Sequence, residues 1–397
     1  MKRPLFSILT CTVGKPDLIK ESIRSILNQT VSDWEIIVTD TSGMDAIKNI
    51  VHEFNDSRVK FYPTPENDPS LGWDFAHSKS NGQYVLWYDD DNCLIPQALA
   101  RFKKIIEEDG PDIVSGNHAY FLGPGNRHYP HHQNTLIFLP PYKLQKIYHD
   151  PKKVLHSIFN FEFGSPAMPA RWHSAATFVS RDVCEKIKKH TGSVITPRLL
   201  GNFHIHPLIF AFAQKAIYDD RPLCVIGKFS TSITQQWSNV YVKQKTASVL
   251  PYRFTGVTAK TLGNTTSECY LQAKQSLPQQ LGAYKLNFEK FYDRYINELI
   301  LIDLPLPRHL YHWKELWQAK KDIRIPIGAV KSVGIHILRN LKLWNYARRI
   351  RHKVKSKDNK RVILNLEPLG VNSISVCAEK LDEIMLQECG IDIKSNF

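Results

Sequence analysis

Tyr84-Val85-Leu86-Trp87-Tyr88-Asp89-Asp90-Asp91-Asn92 passes from five apolar or aromatic residues to three carboxylates without a break. A run that is apolar on both faces reads as a central strand of a sheet, and the abrupt change of polarity marks its carboxyl end. Pro96 and an amphipathic stretch over 97–107 follow, so the carboxylates are expected in a short loop between a strand and a helix. In an open α/β sheet that edge is where ligands collect, because loops splay apart there and helix N-termini point inward.

The same rhythm extends in both directions. Residues 5–10 read as a strand. Pro16 opens a helix through Asn28, with Leu18, Ile19, Ile23, Ile26 and Leu27 on one face. A strand over 34–40, a helix over 46–54 and a strand over 59–62 come next. Downstream, strands are expected over 112–114, 175–179 and 218–225, and helices over 181–189 and 206–215. This alternation predicts an α/β fold with a mostly parallel central sheet flanked by helices. From about residue 230 the pattern turns mixed, with helix-like stretches at 267–275 and 288–301. The expected divisions are an α/β domain over 1–230, a mixed or helical extension over 231–305, a basic amphipathic segment over 306–361 and a short acidic tail over 362–397.

Composition narrows the setting. With 43% apolar residues the chain can supply a real core, so disorder is not expected. Seven cysteines, scattered and never spaced C-x-x-C, suggest neither a disulfide framework nor a zinc knuckle and fit a reducing, cytoplasmic compartment. No apolar leader or run of eighteen apolar residues is present, so membrane contact is expected to be peripheral, on the cytoplasmic face. The net charge of +14 is concentrated between Arg308 and Arg361, where 16 Lys/Arg face three acidic residues. Within that segment Val330, Val333, Ile337, Leu341 and Trp344 share one helical face, with Lys331, Arg339 and Lys342 on the other. Such a pattern fits a helix lying on anionic lipid over 330–355, or an apolar face docked on the rest of the chain. No recognition module accompanies the charge, so nucleic acid is not an expected partner.

Three strand ends converge in this reading: Thr10 with Thr12, Asp40 with Thr41, and Asp89-Asp90-Asp91. Carboxylates crowded at a sheet edge repel one another, and a divalent cation relieves that repulsion. Hard oxygen ligands suit Mg2+ or Mn2+ with positions left open for diphosphate oxygens. A solvated acidic loop that caps the next helix is the simpler alternative.

Several ordered pieces carry a wider likeness. They are 6–10 (Phe-Ser-Ile-Leu-Thr), 22–30 (Ser-Ile-Arg-Ser-Ile-Leu-Asn-Gln-Thr), 33–40 (Asp-Trp-Glu-Ile-Ile-Val-Thr-Asp), Glu66-Asn67, 81–91 with its Asp-x-Asp spacing, and Arg221-Pro222-Leu223. Over about residues 4–230 the chain resembles the GT-A-fold glycosyltransferases of family 2. The resemblance implies direct, inverting transfer of a sugar from a nucleoside-diphosphate sugar to a hydroxyl of a glycan or lipid-linked acceptor, as in surface polysaccharide synthesis. It implies Asp89 and Asp91 at the metal, Asp90 near the ribose, and Thr10, Thr12, Asp40 and Thr41 around the base. Thr41 stands where the family usually has a second acid, and Thr12 where an aromatic is often found, so a non-uridine donor becomes more plausible.

Inverting transfer needs a group that takes the acceptor proton, and the family usually has an Asp or Glu at the helix start before the Pro-Leu strand. Here residues 199–207 read Leu-Leu-Gly-Asn-Phe-His-Ile-His-Pro, with no carboxylate. Asn202 aligns with the expected acid, and an amide is no base at neutral pH. His204 is the first choice for base or orienting group and His206 the second; structural hydrogen bonding is the alternative for both. Trp172 and His173 precede a strand that resembles the family's acceptor-side wall, and Trp237 follows a Gln-Gln pair that faintly resembles a processive-synthase motif. The histidine-rich 127–132 stretch reads as a loop over the site. Two other functions stay open: a sugar-phosphate nucleotidylyltransferase, whose Gly-rich, basic pyrophosphate loop is missing from residues 8–16, and a catalytically silent nucleotide-sugar or glycan-binding protein.

Overall fold

The computed structural model describes residues 3–64, 68–125, 132–138, 143–162, 172–195, 201–232, 252–259, 261–301, 305–320, 324–340 and 362–394. Strands β1 (Phe6–Thr12), β2 (Trp34–Asp40), β3 (Val59–Pro63) and β4 (Tyr84–Asp89) run parallel, with β1 between β2 and β4. Each successive pair is linked through a helix: α1 (Pro16–Leu27), α2 (Asp45–Glu53) and α3 (Pro69–Lys79). Such helical crossovers are what parallel pairing requires.

Beyond β4 the sheet becomes mixed. After β5 (Asn92–Leu94) and α4 (Ala98–Asp109) come β6 (Ile113–Leu122), β7 (Thr135–Phe138), β8 (Lys146–His149) and α5 (Pro151–Phe159). β9 (Thr177–Ser180), entered from a short 3-10 turn, lies antiparallel between β4 and β6. α6 (Arg181–Thr191) and α7 (Gly201–Phe212) lead to β10 (Ala216–Lys228), which is parallel to β6 and antiparallel to β5 and β8. The expected parallel core is thus present on one side, and the remaining strands make the whole sheet mixed.

Both faces of the sheet are covered, with period-two alternation deciding which side chain goes where. Phe6, Ile8, Leu86 and Tyr88 enter one core with α1, α2 and α4; Leu9, Cys11, Val85 and Trp87 enter the other with α3, α5, α6 and α7. The second core is extended by α8 (Leu262–Ser276), α9 (Pro278–Leu281), α10 (Phe288–Leu301), α11 (Leu306–Ala319) and α12 (Arg324–Asn340). Capping residues set several boundaries: Gly110 and Gly192 end α4 and α6 in the left-handed region, and the Ser180 side chain accepts from Val183 N–H to start α6.

The acidic tail is part of the first core. β11 (Val362–Asn365) adds an antiparallel strand beside β7, and α13 (Ile374–Glu379) and α14 (Leu381–Cys389) follow. Leu366, Val371, Ile374, Cys377, Leu381 and Met385 are buried against the sheet layer that holds α1. Glu21 on α1 accepts from the Ser375 N–H and hydroxyl, and Asn28 donates to Glu379.

Candidate functional site

Strand register brings the expected strand ends to one level. Thr12 lies opposite Asp40, and Cys11 opposite Asp89. From there the loop after β4 is held from several directions. The Thr12 hydroxyl donates to Asp90 Oδ2 at 2.6 Å, and the Ser232 hydroxyl to Asp91 Oδ2 at 2.6 Å. Asn92 Nδ2 donates to Asp89 Oδ2 at 3.2 Å. Gly227 N–H donates to the Asp91 carbonyl at 2.9 Å. A Cβ at Gly227 would stand 2.1 Å from that oxygen, so only glycine lets β10 close on the loop.

Two lysines missed in the sequence reading complete the arrangement. Lys15, the residue before α1, donates to Asp90 Oδ1 at 2.8 Å and lies 3.9 Å from Asp91 Oδ2. Burial by itself would lower its basicity, yet Asp90 and Asp91 outweigh burial and hold the ammonium charged. Lys228, the last residue of β10, is pushed down by burial while Asp91 and Asp89 oppose that shift. The Gly14-Lys15-Pro16 turn between a strand and a helix is the signal that could have flagged the first lysine.

The carboxylates remain over-charged even so. Burial, then repulsion from Asp91 and Asp90, pushes Asp89 up to about 7, with Lys15 offsetting only part. Asp90 is also raised, by burial first, against the pull of Lys15. This donor set fits a divalent cation. With Asp90 engaged by Thr12 and Lys15, Asp89 and Asp91 have hard oxygens for an ion that would relieve the repulsion between them. Among the described residues no group of three or more His, Cys, Asp or Glu side chains forms a metal cage.

The other expected base-binding residues sit on β1 and β2. Thr10 is fully buried and its hydroxyl has no partner. Asp40 accepts from Ser42 N–H and Oγ and from Met44 N–H, ordering the turn into α2. Thr41 donates through N–H and Oγ1 to the Thr12 carbonyl, tying the two strand ends together.

On the opposite side, α7 begins five residues before the expected helix and contains Pro207 in its interior. Asn202 lies in its first turn, and His204 and His206 are both buried, with burial pushing each imidazole down to about 4. His173 is half-buried, and its Nδ1 accepts from Ala175 N–H at 3.3 Å. Trp172 is enclosed by protein aromatics, edge-on to Phe210, Tyr218 and His149 with centroids 4.9, 5.5 and 5.6 Å away. The ring expected to stack on an acceptor sugar is therefore a core side chain in this structure. Trp237, Glu66-Asn67 and residues 127–131 lie outside the described residues.

Comparison with known proteins locates this site in a shared segment. Residues 7–165, which hold β1 to α5 and the carboxylate loop, match the family described as Glycosyl transferase family 2. A GalNAc(5)-diNAcBac-PP-undecaprenol beta-1,3-glucosyltransferase of Campylobacter jejuni is 31% identical over 122 residues, covering 29% of this chain and 38% of that protein. An uncharacterized glycosyltransferase of Methanocaldococcus jannaschii is 30% identical over 130 residues, covering 31% of this chain and 44% of its own. The chain thus spans less than half the length of both relatives. S. aureus TarS 1–349, solved in complex with UDP-GlcNAc, superposes with a TM-score of 0.49 at 12% identity, over 84% of this chain and 80% of that one. The carboxylate loop and the parallel strands that carry it thus lie within the segment, residues 7–165, that is similar to glycosyl transferase family 2.

Proposed function

We propose that the protein is a metal-dependent, inverting glycosyltransferase that moves a sugar from a nucleoside-diphosphate donor to a hydroxyl of a glycan or lipid-linked acceptor in surface polysaccharide synthesis. The observation that carries this reading is the under-compensated Asp89-Asp90-Asp91 cluster at the carboxyl edge of the sheet, inside the family segment. Asp89 and Asp91 hold Mn2+ or Mg2+, which when bound stabilises negative charge on the departing diphosphate. Thr12 and Lys15 fix Asp90 beside the ribose, while Thr10, Asp40 and Thr41 frame the base. The proton acceptor or acceptor-orienting group comes from α7, where His204 and His206 stand in place of a carboxylate. The Campylobacter relative named for an undecaprenol-linked substrate supports a lipid-linked acceptor.

Placement at the cytoplasmic face of a membrane belongs to the same reading. No described helix is long and apolar enough to cross a bilayer. In α12, Ile325 is buried, Gly328 lies under the Trp313 ring, and Ser332 accepts from Trp313 Nε1, so that side faces the protein. Ile327, Val330 and Ile337 are 50%, 73% and 52% exposed, with Lys331 exposed beside them. An outward apolar stripe with basic neighbours suits anionic lipid. Co-sedimentation with phosphatidylglycerol vesicles, reduced by salt and by Val330→Asp, is the expected result; equal sedimentation with neutral vesicles would defeat the lipid assignment.

A thermal-shift screen of UDP-, GDP- and dTDP-sugars with and without Mn2+ tests the main reading. Binding to the folded state raises Tm by mass action, so at least one nucleotide sugar should raise it, and only with metal. A flat response to every donor would sink the transferase reading.

A further inference from the structure

His206 is 5% exposed, and neither of its ring nitrogens has a hydrogen-bond partner. Leaving a buried polar group unsatisfied is costly. Both ring nitrogens of His206 therefore have hydrogen-bonding capacity that a hydroxyl group could satisfy.

The neighbours of His206 identify that partner. The His173 ring centroid is 5.1 Å from that of His118, and His206 is one of the groups whose field lowers the basicity of His173. His118 Nε2 is 2.9 Å from the Tyr120 hydroxyl, and Lys228 Nζ lies 5.2 Å from the Tyr120 ring centroid. Lys228 in turn stands within electrostatic range of His173 on one side and of Asp91 and Asp89 on the other. Polar groups from β6, the turn before β9, α7 and β10 therefore form a series that runs from the carboxylate loop to His206. His204 is not among the groups that perturb His173. Two residues along a helix is about 200° of rotation, which aims the two imidazoles apart.

The geometry points to His118, His173 and His206 as an acceptor subsite for an uncharged sugar hydroxyl, with His206 receiving the hydroxyl proton during transfer. This assignment rests on the transferase reading above. Burial pushes His206 down to about 4; burial, followed by His118, Lys228 and His206, holds His173 well below the usual imidazole range. The His206 and His173 rings are therefore neutral at physiological pH. A neutral imidazole offers one N–H donor and one nitrogen acceptor, which matches a hydroxyl, whereas phosphate or carboxylate groups call for charged donors. A proton acceptor of this strength is comparable with a carboxylate, whose ordinary value is about 4. His173 is a positioning residue: its Nδ1 accepts from Ala175 N–H, which leaves the ring proton on Nε2. In the step, the acceptor O–H bond breaks toward a His206 nitrogen as the oxygen bonds to the anomeric carbon. The bond from that carbon to the diphosphate oxygen breaks, and its electron pair leaves on the nucleoside diphosphate.

The test uses the full chain with Mn2+ and UDP-, GDP- and dTDP-sugars, reading nucleoside-diphosphate release to water beside the donor-induced rise in Tm. His206→Gln should keep the Tm rise and lower release at least about 100-fold. His206→Ala should lose a similar factor and recover part of it when imidazole is added to the medium, which a purely structural role would not allow. Methyl glycosides, and not sugar phosphates, should accelerate release by the wild-type protein. Unchanged release in both variants, a Tm rise lost together with the rate, or acceleration by sugar phosphates alone would overturn the assignment. A wild-type protein that no donor stabilises would fail earlier, at the transferase reading, and would remove this inference with it.

Discussion

Two groups of buried carboxylates lie on the same sheet and are treated in opposite ways. Asp219 on β10 is fully buried and accepts from Arg101 Nε at 2.6 Å, from Arg221 Nη1 at 3.0 and 3.2 Å, and from Arg221 N–H at 3.0 Å. Glu35, at the amino-terminal end of β2, accepts from Ser7, Lys60 and Asn81 N–H. Burial would raise the Glu35 carboxyl, but those hydrogen bonds outweigh it and hold it below the usual range. Among the described residues Asp89 accepts from Asn92 Nδ2 at 3.2 Å, and burial with repulsion from Asp91 and Asp90 raises it. Asp219 and Glu35 are each met by several donors that hold a buried charge in place, whereas Asp89 has fewer donors and two like-charged neighbours, so its charged form is disfavoured.

Breaking the satisfied group should cost most. Asp219→Ala leaves two buried guanidinium groups without their shared acceptor, and loss of about 3–5 kcal/mol is expected from urea unfolding. A midpoint unchanged from wild type would show that the arginines are compensated elsewhere. Asp91→Asn should do the reverse. It removes charge from a repelling cluster, so stability should hold within about 1 kcal/mol. Sugar transfer should fall by at least about 100-fold, equivalent to about 2.7 kcal/mol in the barrier, with the Mn2+-dependent Tm rise lost. An active Asp91→Asn protein would erase the distinction drawn between the two groups.

The smallest effect is expected at Glu35. Glu35→Gln should cost about 1–2 kcal/mol at neutral pH by weakening charge-assisted hydrogen bonds. Because the folded state depresses this carboxyl, its contribution is present above the unfolded-state value and disappears as pH falls through the folded one. Urea midpoints of wild type and variant should therefore converge in acid. A constant gap would assign the effect to packing.

Parts of this design were legible in local sequence. The apolar run of β4 and its abrupt acidic end located the loop, the helix expected over 288–301 has the observed bounds of α10, and those of α1, α2 and α4 fall within two residues of expectation. Apolar periodicity marks these elements because one face of each is buried. α3 was missed for the converse reason. Its buried residues are Ser70, Gly72, Trp73, Ala76 and His77, a mostly small or polar face that gives little periodic signal. Close approach to β1 selects it: a Cβ on Gly72 would come within 2.4 Å of Cys11 Sγ.

By itself, then, the sequence determined the α/β class, the succession of strands along the chain whose ends build the sheet edge, and the carboxylates among them, since each follows from contiguous patterns of polarity. Tertiary structure decided the remainder. It placed Lys15 on Asp90 across 75 residues and Ser375 on Glu21 across 354, turning an acidic tail into core. It also separated His206, unpartnered and near His173, from His204 two positions earlier. Burial and partnership are set by groups remote in the chain, and no local periodicity carries them.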